Sequence, residues 1–263
     1  MKWFKHIGAA LAACAVLSSC EKVIDVNLND SDPKYVIEGN ISNAPGPYLV
    51  RITQSKNFDE DNNYPGVSGA VVTIADDAGN SENLQYTGSG YYQTNTLAGV
   101  PGRTYTMSVS VAGQNFTAKS SILPVVNFDS LYMQILSTAG DSLKMVYAQF
   151  KDVPGVVNYY RHIMYVNGKK FKGIYVSDDA YSDGQTIKRP LPYFGADEKM
   201  KPGDSITVEM QCIDAGVYQY FYTLDQTISQ NSATPANPQS NISGGALGYF
   251  SAHTTQSKQL IVP

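Results

Sequence analysis

Beyond residue 33 the chain alternates apolar and polar residues with period two, the repeat of a strand with one dry face and one wet face. The clearest run is Thr104-Tyr105-Thr106-Met107-Ser108-Val109-Ser110-Val111, where Tyr105, Met107, Val109 and Val111 share a side and the hydroxyl residues take the other. The same pattern predicts strands over 35–41, 48–53, 71–75 and 116–122. Between them lie the Pro45-Gly46-Pro47 turn, a polar loop and the hairpin signal Asp76-Asp77-Ala78-Gly79-Asn80, in which Gly and Asn tolerate positive φ. Leu123-Pro124 closes this unit. A second set starts near residue 125, with strands over 131–136, 143–150, 158–166, 171–176 and 205–213 and a closing strand near Leu260. In 205–213, Ile206, Val208, Met210 and Cys212 face one way, which places Cys212 in the core. The polar stretch 177–185 and the proline-bearing 189–194 read as a long surface loop. Gly244, Gly245 and Gly248 imply backbone packed on backbone, or a bulge.

One segment changes period. Val217, Phe221, Leu224 and Ile228 are spaced by four, three and four, which predicts a helix, with Asp214 placed to cap it. No repeat of fixed length is present. The expected fold is all-β: two tandem β-sandwich domains, immunoglobulin-like or transthyretin-like, over 34–124 and 125–263, with one short helix in the second.

The first nineteen residues follow a different logic: a basic start at Lys2 and Lys5, an apolar run over 7–17, and small residues after it. That run is far shorter than the roughly twenty residues that span a bilayer. Leu17-Ser18-Ser19-Cys20 resembles the lipobox of bacterial lipoproteins. The resemblance implies cleavage between Ser19 and Cys20, diacylglycerol on the Cys20 thiol and acylation of the new amino terminus. A plain secretory peptide with a coincidental cysteine is the competing reading. Several acyl chains suffice for stable attachment, at about 0.8 kcal/mol per buried methylene. The expectation is a signal over 1–19 and a polar tether over 20–33, with the protein held on a membrane by lipid rather than crossing it.

Charge and cysteines narrow the classes. Without residues 1–19 the chain carries 17 basic and 23 acidic side chains, a net charge of −6, which argues against nucleic acid as a partner. Cys14 leaves with the signal and Cys20 carries lipid, so Cys212 has no partner for a disulfide and the core must hold the fold unaided. The 244 remaining residues are ample for one large or two ordinary domains. The one tryptophan, Trp3, is lost with the signal.

Several separated segments resemble one family. They are Val23-Ile24-Asp25-Val26 after Cys20, Tyr35-Val36-Ile37-Glu38-Gly39-Asn40-Ile41, Gly69-Ala70-Val71-Val72-Thr73-Ile74, Leu97-Ala98-Gly99-Val100-Pro101-Gly102-Arg103-Thr104-Tyr105, and residues 241–250. In this order they resemble the domain-of-unknown-function family 4249. The resemblance implies an outer-membrane lipoprotein of Bacteroidota-type bacteria, with genes often beside those of TonB-dependent receptors. The family brings no catalytic or ligand residues, so it assigns a role to Cys20 alone.

Candidate chemistry is sparse, and each candidate has a plainer reading beside it. His162 lies among Tyr159, Tyr160 and Tyr165 and reads as a strand-face histidine; His253 reads as a surface or loop histidine; neither has a second His or Cys at ligand spacing. Asp59-Glu60-Asp61-Asn62-Asn63 has oxygen ligands at alternate positions, but Tyr64 stands where a calcium loop needs glycine and Ala70 where it needs glutamate. Asp178, Asp179 and Asp183 read as a second solvated acidic loop. Gly66-Val67-Ser68-Gly69-Ala70 lacks the last glycine of the esterase elbow and precedes a strand instead of a helix. Gly88-Ser89-Gly90 reads as a hairpin tip, and Cys212 as inert packing. Ser130, Ser142 and Ser205, each in an Asp-Ser-apolar triplet, resemble acceptors for periplasmic O-glycosylation; a strand start is the plainer reading.

These readings lead to an expected binding or accessory protein with no cofactor, metal or catalytic group, lipid-anchored at the outer membrane beside a TonB-dependent receptor. Two alternatives stay open: an envelope hydrolase, which needs Asp178, Asp183, His162 or His253 to converge, and an adhesin-like surface module.

Overall fold

The computed structural model describes residues 32–56, 61, 63–138, 141–193, 199–229 and 236–263, without the side chains of 136–138 and 141–143. Among the described residues the chain is all-β apart from one helix. Seventeen strands are present among the described residues: β1 (Tyr35–Ser42), β2 (Leu49–Gln54), β3 (Val71–Asp76), β4 (Ser81–Asn83), β5 (Gln85–Gly88), β6 (Tyr91–Gln93), β7 (Thr104–Val111), β8 (Gln114–Ser121), β9 (Phe128–Thr138), β10 (Asp141–Lys151), β11 (Tyr159–Val166), β12 (Lys169–Lys170), β13 (Tyr175–Asp178), β14 (Thr186–Leu191), β15 (Ser205–Ile213), β16 (Ile242–Ser243) and β17 (Leu247–Ile261). The helix, α1 (Ala215–Ile228), falls where the change of period placed it.

One nine-stranded sheet, in the order β12-β11-β15-β17-β1-β2-β6-β5 with β13 also on β11, is shared by two sandwiches. The five-stranded sheet β16-β8-β7-β3-β4 belongs with the first sandwich, and the three-stranded sheet β14-β10-β9 with the second. The first core holds Ile37, Val50, Ile52 and Phe250 with Val72, Ile74, Met107 and Phe116. The second holds Phe128, Val146 and Phe150 with Tyr160, Met164, Val208, Met210 and Cys212. In both, the apolar set of each alternating strand turns inward, and every fully buried large side chain contributes about 1.5–3 kcal/mol.

The joint is β17. Residues 247–253 pair in parallel with β1, and 254–261 pair antiparallel with β15, so one fifteen-residue strand passes through both halves. Gly248 makes the parallel part possible: its φ is +93°, and a Cβ there would lie 2.1 Å from the Ile37 carbonyl oxygen. The buried residues of the first core come from 37–122 together with Ile242, Ala246, Phe250 and Ala252, and those of the second from 126–212 together with Val262. Residues 33–263 form one compact unit.

Three readings of the strand and loop pattern need correction. The strand expected over 171–176 is broken, with β12 ending at Lys170 and β13 starting at Tyr175. The proline-bearing stretch expected as loop contains β14, whose Pro190 sits opposite Tyr147 on a sheet edge, where a missing N–H is tolerated. The acidic stretch is not all surface: Ser177 and Asp179 are buried, and Ser177 and Asp178 belong to β13. No helix among the described residues is long and apolar enough to cross a membrane.

Candidate functional site

The shared sheet has two faces of opposite character. On β11, Tyr160, His162 and Met164 point into the second core, so Arg161 and Ile163 between them take the other side. The same alternation puts Glu209, Gln211 and Ile213 of β15, Tyr249, Ser251 and His253 of β17, and Glu38 and Asn40 of β1 on the side of Arg161. The helix α1 packs on that side.

Asp214 fixes the helix at its start. One of its oxygens accepts the Val217 N–H at 2.9 Å, while the other accepts the Ser120 hydroxyl at 2.5 Å and the Ser121 N–H at 3.1 Å, which ties the cap to β8. Val217, Tyr220 and Phe221 are then driven onto Ile213 and Tyr249. Tyr220, Phe221 and Tyr249 form an aromatic trio with ring centroids 4.8–5.1 Å apart. The Arg161 guanidinium carbon lies 3.6 Å from the centroid of Phe221.

Beneath α1 a cavity of about 470 Å³ opens between the helix, the sheet and the segment after β12. Its walls are Phe171, Ile174, Leu224 and Ile228 with the aromatic trio; its charged lining is Arg161, Lys170, Lys172 and Glu38, and the neighbouring His162 also borders it. The size is that of a small-molecule site, apolar with a few charged groups.

Behind Arg161 runs a buried polar chain. The guanidinium donates to Gln211 Oε1 at 3.2 Å; Gln211 Nε2 donates to Glu209 at 2.7 Å and meets His253 Nε2 at 3.1 Å; His253 Nδ1 meets the Ser251 hydroxyl at 2.9 Å. Because the Gln211 amide is the donor, His253 accepts at Nε2 and carries its proton on Nδ1. Burial, helped by the nearby Arg161 charge, pushes His253 down to about 4, so it is neutral at neutral pH. Its reading as a surface or loop histidine is therefore wrong: it is 5% exposed, in the middle of β17.

His162 differs from its neighbour. Its ring packs against Phe128 and Phe150 at 6.5 and 5.7 Å, its Nε2 finds no partner, and burial pushes it down to about 3. Cys212 is buried in the same core and burial raises its thiol, which suits packing.

A second cluster lies at the end of the second sandwich. Carboxylate oxygens of Asp152, Asp179 and Asp183 come within 4.8 Å of one another, the first two buried. They are within reach of one divalent cation, yet each already serves the backbone: Asp152 accepts from Gly184 at 2.8 Å, Asp179 from Asn158 at 2.9 Å and Asp183 from Gly155 at 2.7 Å. The Tyr160 hydroxyl also donates to Asp152. Asp178 stands apart and accepts from Tyr218 at 3.1 Å. Asp178, Asp183, His162 and His253 are thus divided among different surroundings.

The other candidates are placed as follows. Gly66 is required by close approach, since a Cβ would lie 2.0 Å from the Ser89 carbonyl carbon. Gly88, Ser89 and Gly90 link β5 to β6 as a hairpin tip. Gly244 and Gly248 do press backbone on backbone. Ser130 is half-buried on β9, and the Ser205 hydroxyl accepts from Gln259 at 2.5 Å. The Ser142 side chain, Asp59, Glu60, Asn62, Ser19, Cys20 and the signal and tether up to residue 31 lie outside the described residues.

The sequence reading missed Arg161, Lys170, Gln211 and Tyr249 as members of one site. A signal was present: a single arginine within the otherwise aromatic and apolar run Tyr159-Tyr160-Arg161-His162-Ile163-Met164.

A family model described as Domain of unknown function (DUF4249) matches residues 21–259, nearly the whole chain. The chain belongs to this family. No curated protein matches it. Membership in DUF4249 covers both sandwiches, α1 and the cavity beneath it, and carries no reaction with it.

Proposed function

We propose that this DUF4249 protein is a binding or accessory protein that takes up a small molecule beneath α1 while held by lipid at the outer membrane of Bacteroidota-type bacteria, beside a TonB-dependent receptor. The observation that carries the binding reading is the cavity of about 470 Å³ whose floor is a buried arginine and whose walls are aromatic and aliphatic side chains. Rigid sandwich strands set the floor and one capped helix the roof, an arrangement suited to recognition.

The address is supported by Leu17-Ser18-Ser19-Cys20 following a short apolar run, with Cys20 as the lipid-bearing residue. The receptor as neighbour is supported by the family resemblance of the segments from Val23 to Phe250. Two measurements test these parts. Cys20→Ser should move the protein out of the membrane fraction, and equal retention would refute the anchor. Solubilised membranes should yield a TonB-dependent receptor with the native protein in a pull-down read by mass spectrometry, and a pull-down without any envelope partner would refute the association.

A further inference from the structure

We propose that the cavity beneath α1 selects a small organic anion, its charged end against Arg161 and Lys170 and its apolar body along Phe171, Tyr220 and Leu224. The inference rests on the binding reading and names the ligand class.

Arg161 is 9% exposed, and its hydrogen bond goes to a neutral amide, Gln211. No carboxylate pairs with it among the described residues; the ion pairs there are Lys56 with Asp61 and Arg103 with Asp76. A guanidinium has five N–H donors in a planar fork. Stacking on Phe221 covers a face and leaves the edge, where the donors are, for other partners. Arg161 reaches a carboxylate, Glu209, only through the Gln211 amide, so the buried charge has no direct ionic partner, and an anion in the adjoining cavity would supply one.

The surrounding charges point the same way. Lys170 lines the same cavity near enough to Arg161 for the two cations to repel, and Lys172 adds a third positive group; Glu38 in the lining and Glu209 behind Gln211 are the two carboxylates set against these three cations. A carboxylate or sulfonate entering there would offset that repulsion and take the free guanidinium edge in a two-pronged bond. Much of the remaining lining is apolar: Phe171, Ile174, Leu224 and Ile228 offer nothing to a strongly hydrated inorganic ion and a good surface to rings or chains. A neutral analogue of the same shape would leave the arginine unpaired, which is how such sites discriminate.

The test uses the full-length chain and two matched pairs of probes, 1-naphthaleneacetate with 1-naphthaleneacetamide and indole-3-acetate with indole-3-acetamide, titrated by calorimetry. Each carboxylate should bind at least tenfold tighter than its amide. Arg161→Met should bring the pair within about twofold of each other. Lys170→Gln with Lys172→Gln, both exposed positions, should narrow the ratio severalfold without changing the melting temperature, and they carry the test if Arg161→Met fails to fold. Equal binding of carboxylates and amides by the native chain would overturn the anion inference and leave the binding reading standing. Binding of none of the four would overturn both.

Discussion

Arg161 and His162 are consecutive on β11, yet one faces a wet cavity and the other a dry core. His162 sits between Phe128 and Phe150 with an unpartnered Nε2, whereas Arg161 heads a chain of hydrogen bonds through Gln211 and His253 to Ser251. The difference teaches what each face is for. The inner face holds the sandwich together and uses polar groups badly. The outer face, covered only in part by α1, uses them well and opens onto a cavity with charge to spare.

The largest effect should come from the dry side. Phe150→Ala empties the centre of the second core, where Phe150 is fully buried, and should cost about 3–5 kcal/mol in denaturant unfolding. Probe binding by the molecules still folded should be unchanged, which separates the two faces.

Acid acts on both faces. Burial lowers His162 to about 3 and His253 to about 4 from 6.5. As pH falls below about 6.5 the unfolded chain takes up protons that the folded chain refuses, so stability should decline from there until folded His253 titrates near 4 and His162 near 3. The combined loss is on the order of several kcal/mol, read from urea midpoints between pH 7 and pH 4. His162→Phe should flatten part of that slope.

The same pair of histidines gives opposite signs on substitution. His162→Phe keeps the ring and removes an unsatisfied nitrogen, so stability at pH 7 should hold or rise. His253→Phe leaves one N–H of the Gln211 amide and the Ser251 hydroxyl without their partner and should cost about 1–3 kcal/mol. Equal losses from both would erase the contrast between the faces.

A smaller effect should follow at the helix start. Asp214→Ala removes the cap and the bonds to Ser120 and Ser121, at a cost of about 1–2 kcal/mol. Since Asp214 seats the roof of the cavity, carboxylate binding should weaken by more than that of the native chain over the same rise in temperature, measured by calorimetry at two temperatures.

Much of the fold was legible because most strands have one dry side. β7 and β15 alternate cleanly, and α1 announced itself through Val217, Phe221 and Leu224 with Asp214 before them. β17 did not, because residues 248–254 are buried on both sides and so mix aromatic, small and polar residues without alternation. β14 hid behind Pro190. The site was harder still. Polar positions such as Gln211 carry no sign of burial in the sequence, and the coverage that buries them comes from a helix whose cap is tied to Ser120, far away in sequence.

The most direct measurement is a crystal structure of the protein grown with 1-naphthaleneacetate. The carboxylate is expected within hydrogen-bond distance of the Arg161 guanidinium and the naphthyl ring among Phe171, Tyr220 and Leu224. A probe seated elsewhere, or one lying in this cavity with its carboxylate turned to solvent, would contradict this placement.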